Sequence, residues 1–311
     1  MSVNQPLFAK SQRRERRGGV LGHIWRGRLA YLFILPTFLF LTAFFYIPAW
    51  TAFSGAFTDW DGFNTPRFVG IENFVRAMND PIFGIAARNN LILAVAAVVL
   101  SIVPPFIVAE LIFRLRGARP QYLYRSLFVT PLIVPGVVFI LVWTYFFRSE
   151  GLINQLLSVL HLEEWRQSWL TNARTALGAL AFTGFPWINP FNLLVLYAGL
   201  QSIPGEILEA AKLDGAIGLR RVWSIDIPLL APQFRLLLVL ALIGSTQNLV
   251  LPLLMTNGGP GNATNVPILH MYRSAVEYGE FGYSMALSFI LFVVTMAVTG
   301  LVNRLRWGQN V

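Results

Sequence analysis

Residues 202–232 read SIPGEILEAAKLDGAIGLRRVWSIDIPLLAP, a polar and charged insert between two long apolar segments. Ser202 is a candidate helix cap, with Pro204 in the first turn, where a missing N–H costs little. The helix is predicted to run to about Leu213 and to end at Asp214-Gly215, because glycine most easily takes a left-handed C-cap. A second helix is predicted from about Ile217 to Asp226, stopping near Pro228, since proline disfavours helix in the residue before it. Two short helices hinged at one glycine and tethered at both ends read as a docking piece. A solvated loop is the plainer alternative.

The surroundings of this insert set the class of protein. Of 311 residues, 55% are hydrophobic and 13% charged, too apolar for a soluble domain of that size. Six apolar runs are near the length a bilayer demands: Leu29 to Phe53, Asn90 to Phe113, Leu127 to Phe147, Ala176 to Leu200, Leu236 to Met255 and Tyr283 to Val302. The expected fold is therefore an all-α integral membrane protein with six transmembrane helices. Its domain would span residues 29–303, between a basic tail (1–28) and a short C-terminal tail (304–311). Pro36, Pro48, Pro104, Pro105, Pro131, Pro135, Pro186, Pro190 and Pro252 are expected to interrupt the spans, as kinks or cavity walls. The fourth run is the least regular, with a break expected near Pro186 to Pro190.

Charge and residue content exclude several functions. The chain has no cysteine, which removes disulfides, thiolate metal sites and cysteine nucleophiles. His23, His161 and His270 are scattered, with no metal-binding pair at helical spacing. The net charge of +9 would suit nucleic acid, but its distribution does not. Basic residues concentrate in the tail (Lys10, Arg13, Arg14, Arg16, Arg17, Arg26, Arg28), in the loop after the second span (Arg114, Arg116, Arg119, Arg125) and in the insert (Lys212, Arg220, Arg221, Arg235). The positive-inside rule then puts both termini and the insert in the cytoplasm. The first apolar run is too long for the core of a signal peptide, and the arginines of the tail serve orientation and contact with anionic lipid.

Specific residues sharpen this picture. Glu209-Ala210-Ala211, Asp214-Gly215-Ala216, Ile225 and Pro228 resemble the EAA loop of ABC-importer permeases, the membrane subunits of binding-protein-dependent transporters. Phe68-Val69-Gly70-Ile71-Glu72-Asn73-Phe74 and Thr256-Asn257-Gly258-Gly259-Pro260 resemble outer-loop motifs of sugar-importer permeases, F-x-G-x-x-N-F and T-x-G-G-P. Taken alone, Asn73 would only cap a helix. Together the motifs extend the resemblance to the first permease of maltose-type carbohydrate importers, in a compact six-helix version.

The resemblance implies the type I ABC importer permease fold with a cytoplasmic coupling-helix loop. It implies that Glu209, Ala210, Ala211, Asp214, Gly215 and Pro228 form the coupling element, gripped by a separate ATP-hydrolysing subunit. The implied partners are a second homologous permease in a heterodimer, two ATP-binding subunits and an extracytoplasmic solute-binding protein, in a bacterial inner membrane. ATP and Mg²⁺ would bind the partner ATPase; this chain would bind no cofactor and be no enzyme. The glycine-rich NGGPGNATN lacks the lysine and hydroxyl of a phosphate loop.

For the solute, Gly244-Ser245-Thr246-Gln247-Asn248 places amides in an apolar span, where they need a partner or a water-filled cavity. By resemblance, Ser245, Thr246, Gln247, Asn248 and Leu249 fall on a segment lining the sugar site. Phe191 falls on an aromatic of that site, with Trp187, Asn189 and Asn192 close by. Interhelical hydrogen bonding is the alternative role for the amides. No Asp, Lys or Arg sits mid-span, and Glu110 lies near a span end beside Arg114, so a neutral polyol fits better than an anion. Carbohydrate is the expected solute, with sugar alcohols and glycerol phosphodiesters as alternatives. An intramembrane enzyme would need clustered acids or histidines, and a standalone carrier often shows inverted repeats; neither pattern is seen.

Overall fold

The computed structural model describes residues 28–304. The predicted tails, apart from Arg28 and Arg304, lie outside them. The described residues divide into two compact units, 28–51 and 52–304. The first holds α1 (Arg28–Leu41) and the start of α2 (Ile47–Gly55), joined by a π-helical turn, Thr42–Tyr46. The Ile47 N–H donates to the Thr42 carbonyl, so the helix widens just before Pro48, which has no N–H for the carbonyl of Phe44.

The second unit continues with α3 (Glu72–Asn79) and α4 (Pro81–Phe113), a helix of 33 residues. It begins ahead of the predicted Asn90 because Asp80 caps it: Oδ1 accepts from the backbone N–H groups of Ile82 and Phe83, with Pro81 in the first turn. Helices α5 (Ala118–Val129) and α6 (Gly136–Phe146) follow, separated by a 3₁₀ turn, Thr130–Ile133. The third span was expected as one helix from Leu127 to Phe147; instead the segments before and after Val134 and Pro135 meet at 92°. Val134 is extended ahead of Pro135, as that proline requires.

Next come α7 (Leu152–Val159), α8 (Ala176–Ala181) and α9 (Pro190–Gln201). The expected break in the fourth run is present, and wider than expected, covering residues 182–189. The insert forms α10 (Gly205–Leu213), α11 (Gly218–Arg221), a π turn at Val222–Asp226, and α12 (Ile227–Leu229). The fifth span is not continuous either: α13 (Ala231–Gln247) stops, and α14 (Val250–Thr256) restarts it. Then come α15 (Pro267–Val276) and α16 (Phe281–Arg304). Tyr31–Gly55, Pro81–Phe113 and Phe281–Arg304 are each long and apolar enough to cross a membrane, and the number among the described residues rises to as many as six if each of three bent helix pairs counts as one span.

Helix α4 is the element on which the second unit is assembled. Ala109 and Ile112 of α4 share a buried cluster with Leu193, Leu196 and Leu200 of α9 and Leu237 of α13. Pro104 and Pro105 were expected to interrupt this span, yet the helix runs through them. Pro105 has no N–H to give the Ser101 carbonyl, and Asn192 Nδ2 donates to that carbonyl at 2.8 Å instead. The bond satisfies a buried acceptor and pins α9 to α4. Asn89 Nδ2 likewise donates to the carbonyls of Asn262 and Asn265, holding the glycine-rich loop on α4.

At the Asp80 end, Asp80 Oδ2 accepts from the Tyr283 hydroxyl at 2.8 Å and lies 2.9 Å from His270 Nε2. Arg76 Nη2 donates to both carboxylate oxygens of Glu280, and the guanidinium covers the Tyr283 ring at 4.0 Å. Burial alone would raise the Asp80 pKa, but the bonds from Tyr283, the Ile82 N–H and His270 outweigh it and hold the carboxyl below its ordinary value. Asn73 does not cap α3; its Nδ2 donates to the Ala56 and Thr58 carbonyls and closes the loop before that helix.

Two expectations follow. Asn192→Leu leaves the Ser101 carbonyl unpaired and should cost about 1–2 kcal/mol in unfolding in mixed micelles; an unchanged stability would contradict the bracing role. A carboxyl with a depressed folded pKa stabilises above its ordinary value of 3.8 and loses that contribution as pH falls through the folded value. Asp80→Asn should therefore melt below the wild type from pH 5 to 7, and the gap should close as pH drops below 3.8. A gap of constant size across that range would count against it.

Candidate functional site

The residues singled out from sequence fall in two places. The first is the insert. Ser202 does not cap α10; its Oγ donates to the Gly199 carbonyl at the end of α9. Pro204 instead occupies the cap position, with no side-chain bond. The far end of α10 is as expected. Gly215 has φ +70°, and the Ala216 N–H donates to the Ala211 carbonyl at 2.8 Å, closing the helix end. A second glycine, Gly218, also has positive φ (+59°), so the insert carries two left-handed positions instead of one hinge. Neither glycine has an atom within contact range of an added Cβ, so backbone conformation alone calls for glycine there.

The second helical segment passes beyond the expected stop. Residues 218–229 stay helical because the π turn, with the Ile227 N–H on the Val222 carbonyl, absorbs Pro228 just as the turn before Pro48 does. The chain then bends by 69° into α13. Ile203 and Leu208 anchor the insert on the cluster around α4 and α9.

Exposure sorts the residues expected to form the coupling element. Glu209, Ala210, Asp214 and Gly215 are exposed, whereas Ala211 and Ala216 are buried within the chain. The insert also exposes large apolar side chains to which the sequence reading gave no docking role, among them Leu213, 90% exposed, Ile217, Leu219 and Trp223. Their spacing, i to i+4 twice, was a visible signal. No such set belongs on a loop that meets only water.

The second place is the pair of broken spans. Pro252 has no N–H for the Asn248 carbonyl, and the fifth span opens four residues before that proline. Asn248 takes φ −83°, ψ 85°, and its Oδ1 accepts from the Leu251 N–H at 3.3 Å. Gln247 and Asn248 are exposed. In the fourth run, Asn189 Oδ1 accepts from the N–H groups of Phe191 and Asn192, starting α9. Trp187 and Phe191 are exposed there, while Asn192 is buried and committed to Ser101.

The structure does not gather these residues into a single contact. Among the described residues, no hydrogen bond or ring contact joins Trp187, Asn189 or Phe191 to Gln247 or Asn248. Ser245 and Thr246 turn elsewhere: both hydroxyls donate to carbonyls three residues back in α13. They line a mainly apolar cavity of about 320 Å³ between α4, α13 and α16, with Leu91, Ile290 and Val294. What the two breaks share is irregular backbone inside apolar segments. In a membrane that is tolerated only where it is buried in protein or faces a water-filled cavity. No group of three or more metal-binding side chains occurs among the described residues.

Comparison with known proteins agrees with this architecture. Residues 106–306 match the family described as binding-protein-dependent transport system inner membrane component. The diacetylchitobiose uptake system permease protein NgcF of Streptomyces coelicolor is 31% identical over 90% of this chain and 83% of its own length. The multiple sugar-binding transport system permease protein MsmF of Streptococcus mutans is 30% identical over 92% and 96%. Two solved structures share the fold. One is a bacterial ABC transporter involved in import of the acidic polysaccharide alginate, with TM-score 0.78, 22% identity, and 91% and 96% of the two chains covered. The other is an alginate ABC transporter in complex with an alginate pentasaccharide-bound periplasmic protein, with TM-score 0.80, 20% identity, and 94% and 99% covered. With its all-helical spans and the matched segment reaching from α4 into the C-terminal end, the chain belongs to the binding-protein-dependent inner-membrane transport family, as an ABC-type permease with the type I importer fold.

Proposed function

We propose that this chain is one permease subunit of an ATP-driven carbohydrate importer. It pairs with a second permease, carries two ATP-binding subunits on the cytoplasmic side, and receives its solute from an extracytoplasmic binding protein. Both termini and the insert lie in the cytoplasm. The chain itself holds neither nucleotide nor metal.

The observation that carries this reading is the exposed face of the insert, Leu213, Ile217, Leu219 and Trp223 beside Glu209. Apolar side chains of that size, rimmed by Lys212, Arg220 and Asp214, make a docking surface with a greasy centre and a charged border. ATP binding draws the ATPase pair together, moves the two coupling loops and turns the cavity from inward- to outward-facing. The carbohydrate assignment draws on relatives named for diacetylchitobiose and multiple sugars. It also draws on the chemistry of the breaks. Gln247 and Asn248 offer the donors and acceptors that sugar hydroxyls need, and Trp187 and Phe191 offer flat apolar faces for the ring. Asn192 serves as a brace behind this path, and Leu249 shapes its wall.

Two measurements test the reading. Leu219→Asp with Trp223→Asp should weaken retention of the ATPase subunits by about 2 kcal/mol, roughly thirtyfold, in co-purification; undiminished retention would refute the docking face. Asn248→Ala should raise half-saturation for the carbohydrate its binding protein selects roughly tenfold, about 1.4 kcal/mol. Gln247→Ala should act in the same direction, and unchanged half-saturation in both would refute the path.

A further inference from the structure

At the Phe113 end of α4 lies a cluster of charged side chains that neither docking nor solute binding uses. Glu110, 7% exposed, is in the last turn of α4, and Asp226, fully buried, closes the π turn of the insert. Arg221 lies between them. Its Nε donates to Asp226 Oδ2 at 2.9 Å and its Nη2 to Glu110 Oε2 at 3.4 Å, with the Phe113 ring 5.7 Å from the guanidinium. Arg114 Nε donates to the same Glu110 oxygen at 3.2 Å, and its Nη2 reaches the Gly218 carbonyl at 3.2 Å. The cluster thus ties α4 to the insert at two points, Glu110 to Arg221 and Arg114 to Gly218.

Stability does not explain this arrangement. Taking two carboxylates and a guanidinium out of water costs about what their attraction returns, and apolar side chains would fill the space as well. Two oxygens, Glu110 Oε1 and Asp226 Oδ1, are buried with no hydrogen-bond partner among the described residues, so part of the cost is never offset. What the cluster supplies is direction. The guanidinium is a planar fork that holds its partners at fixed angles, whereas apolar contacts let helices slide. The Arg221 link also falls just past the two left-handed glycines, Gly215 and Gly218, at which the chain turns between α10 and α11.

We propose that Arg221 is the positioning residue through which the insert drives α4: a push on α10 and α11 passes through Arg221 to Glu110, and α4 moves with it. Because α9 is pinned to α4 at Ser101 and α13 packs on it, the broken spans follow. The inference rests on the reading of the insert as the docking site of an ATPase.

The test uses the assembled transporter in lipid vesicles. The chain has no cysteine, so Val99→Cys, exposed on the side of α4, can carry a single bimane fluorophore. ATP with vanadate should shift its emission in the otherwise wild-type complex. Arg221→Ala strands two carboxylates, so the deciding variant is the uncharged Glu110→Gln, Arg221→Gln, Asp226→Asn; where it fails to assemble, Glu110→Gln alone is read the same way. Retained ATPase with the shift lost supports the proposal, as does a partial return of the shift in Arg221→Lys, which keeps charge but not the fork. Retained ATPase with an undiminished shift overturns it and leaves the docking reading intact. So does a wild-type complex with ATPase bound and no shift at Val99. A wild-type chain that holds no ATPase overturns the docking reading and this proposal together.

Discussion

A carbonyl that loses its hydrogen-bond donor to proline has to find another partner when the medium around it is apolar. This chain meets that demand in three ways, and its architecture follows from them. In α4, Asn192 of a neighbouring helix replaces the missing donor at Ser101, and the helix continues unbroken from Pro81 to Phe113. At Pro48 and Pro228 the helix widens into a π turn ahead of the ring. At Pro252 neither remedy is applied, and the fifth span opens at Asn248. The first case keeps a span continuous and the last leaves irregular backbone inside one.

Seen this way, α4 is a rod with a polar attachment at each level. Asp80 at its start binds Tyr283 and sits against His270; Asn89 holds the glycine-rich loop; Ser101 receives Asn192; Glu110 receives Arg221. Between them the contacts are apolar, and those have no preferred direction. The insert therefore has two polar ties to that end of the rod, Arg221 on Glu110 and Arg114 on the Gly218 carbonyl, and the rod has one on α9. The exposed amides of Gln247 and Asn248 lie on the break in the fifth span, whose first half, α13, packs against that rod.

Much of this could be read from residue order alone, for local reasons. Gly215 ends α10 because only the next few residues decide a C-cap, and the break between Pro186 and Pro190 is announced by its own prolines. The bend at Val134 was not legible, since hydropathy counts apolar residues and is blind to the angle between two helices. Asp226 enters the sequence reading only as the end of a helix; its buried ion pair is with Arg221, which also reaches Glu110, and Glu110 is far away in the sequence. Asn192 appeared equally suited to lining and bracing until its carbonyl partner, on another helix, was known. Ser245 and Thr246 were expected on one solute path with Gln247 and Asn248, yet they line the cleft against α4 and α16, because neighbours on a helix point in different directions. The exposed Leu213, Ile217, Leu219 and Trp223 are the exception: their regular spacing in a polar insert was there to be noticed.

The central claim is that an ATP-hydrolysing partner grips residues 202–232 from the cytoplasm. It is tested most directly by a single cysteine in place of Leu213, the most exposed apolar residue of the insert, treated with a membrane-impermeant maleimide. Labelling is expected in inside-out vesicles, not in right-side-out ones, and is expected to be blocked when the ATPase subunits are bound. Labelling from the outer face, or labelling that the bound ATPase leaves untouched, would contradict the account.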